Sequence, residues 1–331
     1  MAFFKINNRR YTGSKQKLST WIIETIKNEI NLNSFLDIFA GTGIISSNFI
    51  DLNKLILNDF LFSNNVIYKA FYSSKKYDFR KLEKIQSKFN SLKPNNIKEN
   101  YFSENFGEKY FSHTDAKRIG YIREKIERLD ISKDEKIILL ASLLYSTDKA
   151  SNTVGHYDAF IKNKKINDKF LFNLIQPLKP KAKVEIYRED ANVLAKKVNA
   201  DVVYVDPPYN SRQYSRFYHL LENLTQWEKP KLHGTALKPE PENISNYCKT
   251  SAPDSLADLI SKLKCKMIVV SYNNTYDSKS SSSKNKITLD QIKSILNRKG
   301  KTKILKKKHA HFNAGKTNFK DHHEYLFITK I

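Results

Sequence analysis

The sequence predicts an α/β protein, a Rossmann-like sheet interrupted by a mostly helical insertion. Two short apolar runs, Phe35 to Phe39 and Leu55 to Leu57, flank the glycine turn Gly41-Thr42-Gly43, the pattern of a βαβ unit. Strand patterning then lapses over residues 61–182. It resumes at Val184-Glu185-Ile186-Tyr187, Val202-Val203-Tyr204-Val205 and Met267-Ile268-Val269-Val270-Ser271. Near-continuous apolar runs of this length suit parallel strands covered on both faces.

Taken in order, Lys15 to Ile30 reads as a helix, because Leu18, Ile22, Ile26 and Ile30 recur at steps of four. The strand at 35–39 runs into the glycine turn and a helix to about Asp51, and the strand at 55–57 ends at Asn58-Asp59. Within the insertion the expected helices are 61–75, 78–90, 115–130 and 134–149, and Pro177 and Pro180 mark its exit. A helix after residue 212 carries Arg216, His219 and Glu222. Residues 229–255 read as a long proline-bearing loop and 278–286 as a Ser/Lys-rich flexible loop. A helix near 288–297 and a last strand at 325–328 close the chain. No internal repeat is visible. The domains expected are a sheet domain from 1–60 and 183–331, and a mostly helical insertion from 61–182.

The chain has 331 residues, with 58 Lys+Arg against 34 Asp+Glu and a net charge of +24. Its 40% hydrophobic content supports a packed core and argues against a disordered chain. That charge favours a polyanionic partner, nucleic acid before an anionic membrane surface. Heavy Lys, Asn and Ile usage also fits an AT-rich genome. The apolar stretch from Ile137 to Tyr145 is about half the roughly 20 residues a spanning helix needs. Residues 1–10 do not make a signal peptide. Two cysteines, Cys248 and Cys265, give no disulfide framework and no CxxC pair for zinc. A cytoplasmic protein without a membrane partner is expected.

The chemistry centres on Asp206-Pro207-Pro208-Tyr209, directly after the strand ending at Val205. Ligands of open α/β sheets bind beyond the carboxyl ends of strands. An exocyclic aromatic amine is a poor nucleophile, since its lone pair is delocalised into the ring. Two acceptors on its two hydrogens draw the nitrogen toward tetrahedral geometry and stabilise the positive charge that develops during methylation. Asp206 offers one acceptor and the carbonyl of Pro207 the other, because proline fixes the backbone and lacks an N–H. Tyr209 offers a face on which an extruded base can stack.

The turn after Asp37-Ile38-Phe39-Ala40 lets backbone approach a bound nucleoside at Gly41 and Gly43. Asp59 lies 16 residues after Gly43 and can take both ribose hydroxyls of a cofactor; the alternative is a residue at a helix N-terminus. Asp190 can reach the cofactor adenine or cap a helix. Arg212 and Arg216 can bind phosphates or cover a solvated helix face.

With Tyr11-Thr12-Gly13-Ser14-Lys15, Asp37 to Gly43, Asp59 and Asp206 to Tyr209 in this order, the chain resembles the DNA adenine methyltransferases of the D12, or alpha, class, which includes the Dam-type enzymes. The resemblance implies S-adenosylmethionine as cofactor, contacted by Tyr11 and Lys15 of the aromatic-x-Gly-x-Lys motif around Gly13. It also implies Asp59 on the ribose, Asp206 as the catalytic position and Tyr209 as the stacking aromatic. Two further stretches, Asn210-Ser211-Arg212-Gln213-Tyr214 and Asn152-Thr153-Val154-Gly155-His156-Tyr157-Asp158, look like a subgroup of restriction-system methylases, implying double-stranded DNA as substrate and a cognate restriction endonuclease as partner. Tyr11 departs from the tryptophan of some relatives. The resemblance also implies target recognition in residues 61–182, with help from the loop at 229–255. There Asn152 and His156 are the expected base readers, the alternative being that their stretch packs the insertion onto the sheet. His219 and Glu222 serve packing and capping.

Other chemistries find less support. Methylation at cytosine carbon 5 needs a cysteine usually preceded by proline, whereas Tyr247 and Lys264 precede the cysteines here. No Gly-x4-Gly-Lys-Ser/Thr loop appears. His309, His311, His322 and His323 sit among lysines near a terminal hairpin and do not form a metal set. RNA adenine, cytosine N4 and a catalytically inactive nucleic-acid binder are the competing readings.

Overall fold

A computed structural model describes residues 3–163, 165–275, 284–309 and 322–331. His311 and most of the expected 278–286 loop lie outside the described residues. The chain forms two compact units. One contains Lys15–Phe60, Pro180–Tyr214 and Asn243–Ile331; the other contains Met1–Ser14, Leu61–Lys179 and Ser215–Glu242. The inserted region is thus joined in its unit by the N-terminal segment and by the stretch after the Asp206 motif.

The first unit is built on a seven-stranded mixed sheet, β3-β2-β1-β4-β5-β7-β6. The strands are β1 Ser34–Asp37, β2 Lys54–Asn58, β3 Lys183–Tyr187, β4 Val202–Val205, β5 Met267–Asn273, β6 Lys301–Lys308 and β7 His323–Lys330. β1 to β5 pair in parallel, and β7 runs antiparallel between β5 and β6. Strand order reverses between β1 and β4, so their carboxyl ends open at a topological switch point. β4 and β5 are buried along their whole length, as their unbroken apolar runs require. β6 is an edge strand whose five lysines are all exposed, a charge pattern that discourages pairing with another chain.

Three expectations are corrected in this unit. The connection after the glycine turn is not a helix to Asp51 but a single 3-10 turn, Ser46–Asn48. Ser47 Oγ and Asn48 Nδ2 both bond the carbonyl of Ile44 (2.8 and 2.9 Å), competing with helix continuation. The first helix is Ser19–Glu29, beginning four residues later than read, and Lys15 sits in the turn before it, accepting Leu18 N at 2.9 Å. The 229–255 loop ends early, because helix Ala252–Lys262 starts with proline in its first turn. Strand β6 had no periodic apolar signal of its own.

The second unit is helical: Phe62–Tyr68 continuing as a π-helical turn Lys69–Ser73, then Phe79–Asn90, Tyr101–Phe106, His113–Arg128, Lys133–Ala150 and His219–Gln226. The short helix Tyr101–Phe106, capped by Asn100, was not anticipated. Lys133–Ala150 is buried on most of its surface, and its Ser132/Glu135 capping box fixes its start. Glu222 accepts Phe62 N and Ser63 N at 2.9 and 2.8 Å, capping the helix at 62, and buried His219 packs within the unit; both serve as expected. No helix among the described residues is long and apolar enough to cross a membrane.

Candidate active site

At the switch point β4 delivers Asp206 just past its last paired residue. Asp206 Oδ1 accepts the hydroxyl of Tyr209 at 2.5 Å and lies 3.0 Å from Lys15 Nζ. Both partners fall on the same oxygen, and none engages Oδ2 among the described residues. Lys15 Nζ also bonds the Tyr209 hydroxyl at 2.5 Å and sits 3.5 Å from Glu324 Oε1. Glu324 Oε1 accepts Ser271 Oγ at 2.6 Å and lies 3.1 Å from Tyr209 OH, whose single proton is shared between Glu324 and the closer Asp206. One lysine therefore lies among two carboxylates and a phenol. Burial opposes the charge on Lys15, but Asp206 and Glu324 outweigh it and hold the ammonium above the ordinary lysine value. Burial raises the Asp206 carboxyl to about 6, with Lys15 pulling it down and Glu324 pushing it up. Asp206 is thus mostly an anion at neutral pH.

Pro207 is buried and Tyr209 half-buried. Tyr209 packs edge-on against Tyr272, rings 4.7 Å apart, and its carbonyl accepts Lys286 N at 2.7 Å. Its ring is fixed by three polar contacts and an aromatic neighbour, a rigidity that sequence alone did not suggest.

The glycine turn has Gly41 and Gly43 at φ 52° and 76°, the left-handed region that favours glycine. Gly41 N donates to Asp59 Oδ2 at 2.9 Å, bringing the expected ribose carboxylate onto the turn. Asp37 lies buried beneath, accepting Ser46 Oγ at 2.7 Å; burial pushes it up to about 7. Asn58 was missed. Its buried side chain donates to the carbonyls of Ile38 (3.1 Å) and Glu189 (3.0 Å) and accepts Glu189 N (3.0 Å), stapling the ends of β1 and β2 to the turn after β3. That turn carries Asp190, whose Oδ1 caps the helix Ala191–Leu194 through Asn192 N and Val193 N at 2.9 and 3.2 Å. Asp190 also borders a cleft of about 310 Å³ with Asn192, Tyr247 and Asp258. Phe39 meets Tyr247 edge-on at 5.0 Å. Capping and lining a cleft are both available to Asp190, since the cap uses one oxygen. Arg212 is exposed, its N–H on Asn210 Oδ1 at 3.1 Å.

The helical unit holds the other expected residues. Tyr11 stacks on Tyr218 at 4.6 Å and 4°, and Thr12 N donates to the Tyr218 hydroxyl at 2.8 Å. Gly13 takes φ 78° in the turn that follows. Arg10 reaches Thr153 O at 3.2 Å and Ser151 Oγ at 2.6 Å. Buried Asn152 donates both amide hydrogens to backbone, Lys109 O at 3.1 Å and Ile161 O at 2.9 Å. In this conformation its amide therefore has no donor left for a base. His156 stacks on Phe217 at 4.6 Å, Val154 is 44% exposed, and Arg216 donates to Pro239 O at 2.5 Å. His309 and His322 bond through His309 N to His322 O and His322 Nδ1 to His309 O, at 3.0 and 2.8 Å, as a hairpin pair.

Known proteins with this sequence pattern modify DNA. The chain is 30% identical to the type II methyltransferase M.NlaIII of Neisseria lactamica, over 96% of this chain and 98% of that protein. It is 31% identical to the type II methyltransferase M.CviAII of Paramecium bursaria Chlorella virus 1, over 98% and 99%. A third relative, the type II methyltransferase M.FokI of Planomicrobium okeanokoites, is 31% identical over 96% of this chain, which spans 52% of that longer protein. The family profile matches residues 11–304. On this evidence the chain belongs to the D12 class of N6 adenine-specific DNA methyltransferases, of the restriction-modification type.

Proposed function

We propose that the protein transfers a methyl group from S-adenosylmethionine to the N6 amine of adenine at one short sequence in duplex DNA, flipping the base out of the helix. The observation that carries this reading is Asp206 at the end of β4, with Lys15 and Tyr209 on Oδ1 and Oδ2 left for the amine. The residues around the switch point fit the cofactor: carboxylates at Asp59 and Asp190, an aromatic pair at Phe39 and Tyr247, and a left-handed glycine turn. Bound there, S-adenosylmethionine supplies an electrophilic methyl whose leaving group departs as a neutral thioether.

Asp59 would take the ribose hydroxyls, and Asp190 the adenine edge through its second oxygen. Phe39 would pack on the rings, with Asp37, Gly41 and Gly43 shaping the turn. Tyr11, Gly13 and Lys15 are assigned to the cofactor by the resemblance of their motif; Lys15 is also tied to Asp206. Asp206 Oδ2 and the Pro207 carbonyl would accept the two amine hydrogens, with the methyl approaching in line. Asp206 polarises the amine more than it deprotonates it, because carboxylate and aryl amine are mismatched in pKa. Tyr209 would give the flipped base a ring face.

Sequence choice is assigned chiefly to residues 61–182, with help from the loop at 229–255, and phosphate contacts to Arg212 and Arg216. Work on DNA in a bacterial or phage-infected cytoplasm, beside a restriction endonuclease of the same specificity, completes the reading. Sequencing modified bases in DNA from cells expressing the protein tests it. N6-methyladenine at a single short motif is expected; N4-methylcytosine, or modification confined to RNA, would overturn it.

A further inference from the structure

The sheet places a second carboxylate within reach of the catalytic one. Glu324 lies on β7 opposite Asn273, two residues from the Ser271–Leu326 pair, so Ser271 and Glu324 are diagonal neighbours on one face. Its side chain is 3% exposed. Three groups converge on its Oε1: Ser271 Oγ at 2.6 Å, Tyr209 OH at 3.1 Å and Lys15 Nζ at 3.5 Å. Two of these, Lys15 and Tyr209, are the groups that also hold Oδ1 of Asp206. A buried carboxylate needs such partners to persist. Ser271 contributes no charge, so its role is to fix where that carboxylate points.

We propose that Glu324 is a positioning residue for methyl transfer: by holding Lys15 and Tyr209 from the far side, it confines both to one oxygen of Asp206 and leaves the other oxygen to accept the adenine amine. An ammonium has three donors and a flexible stem. Without a counter-carboxylate, Lys15 would settle fully on Asp206 and cover the acceptor that the reaction uses. Glu324 also keeps the charge around Lys15 net negative when both carboxylates are ionised, favouring the positive charge that grows on the amine nitrogen. The charged and titratable groups facing Glu324 are Lys15, Asp206, Tyr209, Tyr204 and His309.

The proposal rests on Asp206 as the amine acceptor, and the test separates the two. Glu324→Gln keeps the shape and removes the charge. Single-turnover transfer of tritiated methyl to unmodified genomic DNA is expected to slow at least tenfold, with cofactor affinity changed less than threefold. The acid limb of the rate profile should move to lower pH, because Glu324 is the like charge that raises Asp206. A carboxyl ¹³C titration without cofactor, with Asp206 identified by its loss in Asp206→Asn, should report the same downward shift. A purely structural role would lower thermal stability without moving either titration. Ser271→Ala, which retains every charge, should slow transfer three- to tenfold, and it carries the test if Glu324→Gln does not fold. Wild-type transfer and an unmoved acid limb in either folded variant, beside an inactive Asp206→Ala, overturn the role of Glu324 alone. An active Asp206→Ala overturns the acceptor reading itself.

Discussion

Lys15 Nζ and Tyr209 OH both meet Oδ1 of Asp206, at 3.0 and 2.5 Å, so among the described residues this carboxylate is gripped on one side only. A carboxylate held on both oxygens would be a poor acceptor for a substrate amine. One held on neither would be free to rotate and would protonate more readily in this buried setting. Asp206→Ala should therefore slow methyl transfer at least a hundredfold, or about 3 kcal/mol of barrier. Cofactor affinity, by equilibrium dialysis, should change only modestly. Transfer at near wild-type rate would remove Asp206 from the mechanism.

The pH dependence follows from the same carboxyl. Burial raises it to about 6, and only the anion can accept two-sided hydrogen bonding without carrying its own proton. The single-turnover rate should fall as pH drops through about 6, by tenfold for each unit below that. A rate that stays flat to pH 5 contradicts the assignment.

Asp37 gives a test of stability. Its carboxyl is raised to about 7 by burial, with the carboxylates of Asp206 and Asp59 adding to the effect and Ser46 opposing it. A folded-state value above the unfolded one means that the folded protein holds the proton more tightly. That stability is fully present below pH 4 and is lost as pH rises toward 7. Asp37→Asn mimics the protonated form and should raise the melting temperature at pH 8 by several degrees, with little change at or below pH 4. Equal effects at both values would mean that Asp37 does not titrate in this range.

How much of this was written in the sequence depends on what each signal measures. β1, β2, β4 and β5 were legible because parallel strands covered on both faces must be apolar throughout. β6 was not, since Lys301–Lys308 is an edge strand whose exposed lysines erase the apolar alternation. Asp206 and the glycine turn were legible as compact motifs. Glu324 was not, because only the antiparallel register of β7 against β5 brings it to Ser271 and the Lys15 ammonium. Asn58 stood beside a residue that was singled out, yet its role depends on Ile38 and Glu189, which only the folded sheet gathers.

Charge makes a separate prediction. If the net +24 serves DNA binding, affinity for nonspecific duplex should fall at least tenfold between roughly 50 and 200 mM salt. Fluorescence anisotropy would measure it, and a flat response would assign the lysines to genome composition instead.

The last prediction concerns residues 152–158. Asn152 and His156 were both expected to read bases, but they are held differently. Asn152 is buried, with its two amide hydrogens on Lys109 O and Ile161 O. Removing it leaves two carbonyls without donors, which should cost about 1–3 kcal/mol of stability. His156 stacks on Phe217 and accepts Asp158 N at its Nδ1 at 3.3 Å, next to Val154, which is 44% exposed beside Gly155. An exposed apolar side chain and an imidazole at a loop tip can meet a thymine methyl and a base edge. His156→Ala, and Val154→Ala more weakly, should relax the methylated motif while leaving the melting temperature within about 2 °C of wild type. Asn152→Ala should do the reverse, lowering the melting temperature while the motif persists in whatever fraction stays folded. Genome-wide mapping of N6-methyladenine reads the motif and calorimetry reads the stability. If His156→Ala leaves the motif intact, base reading does not reside in this loop, and the 229–255 loop, whose Lys238 pairs with Asp158, becomes the segment to dissect next.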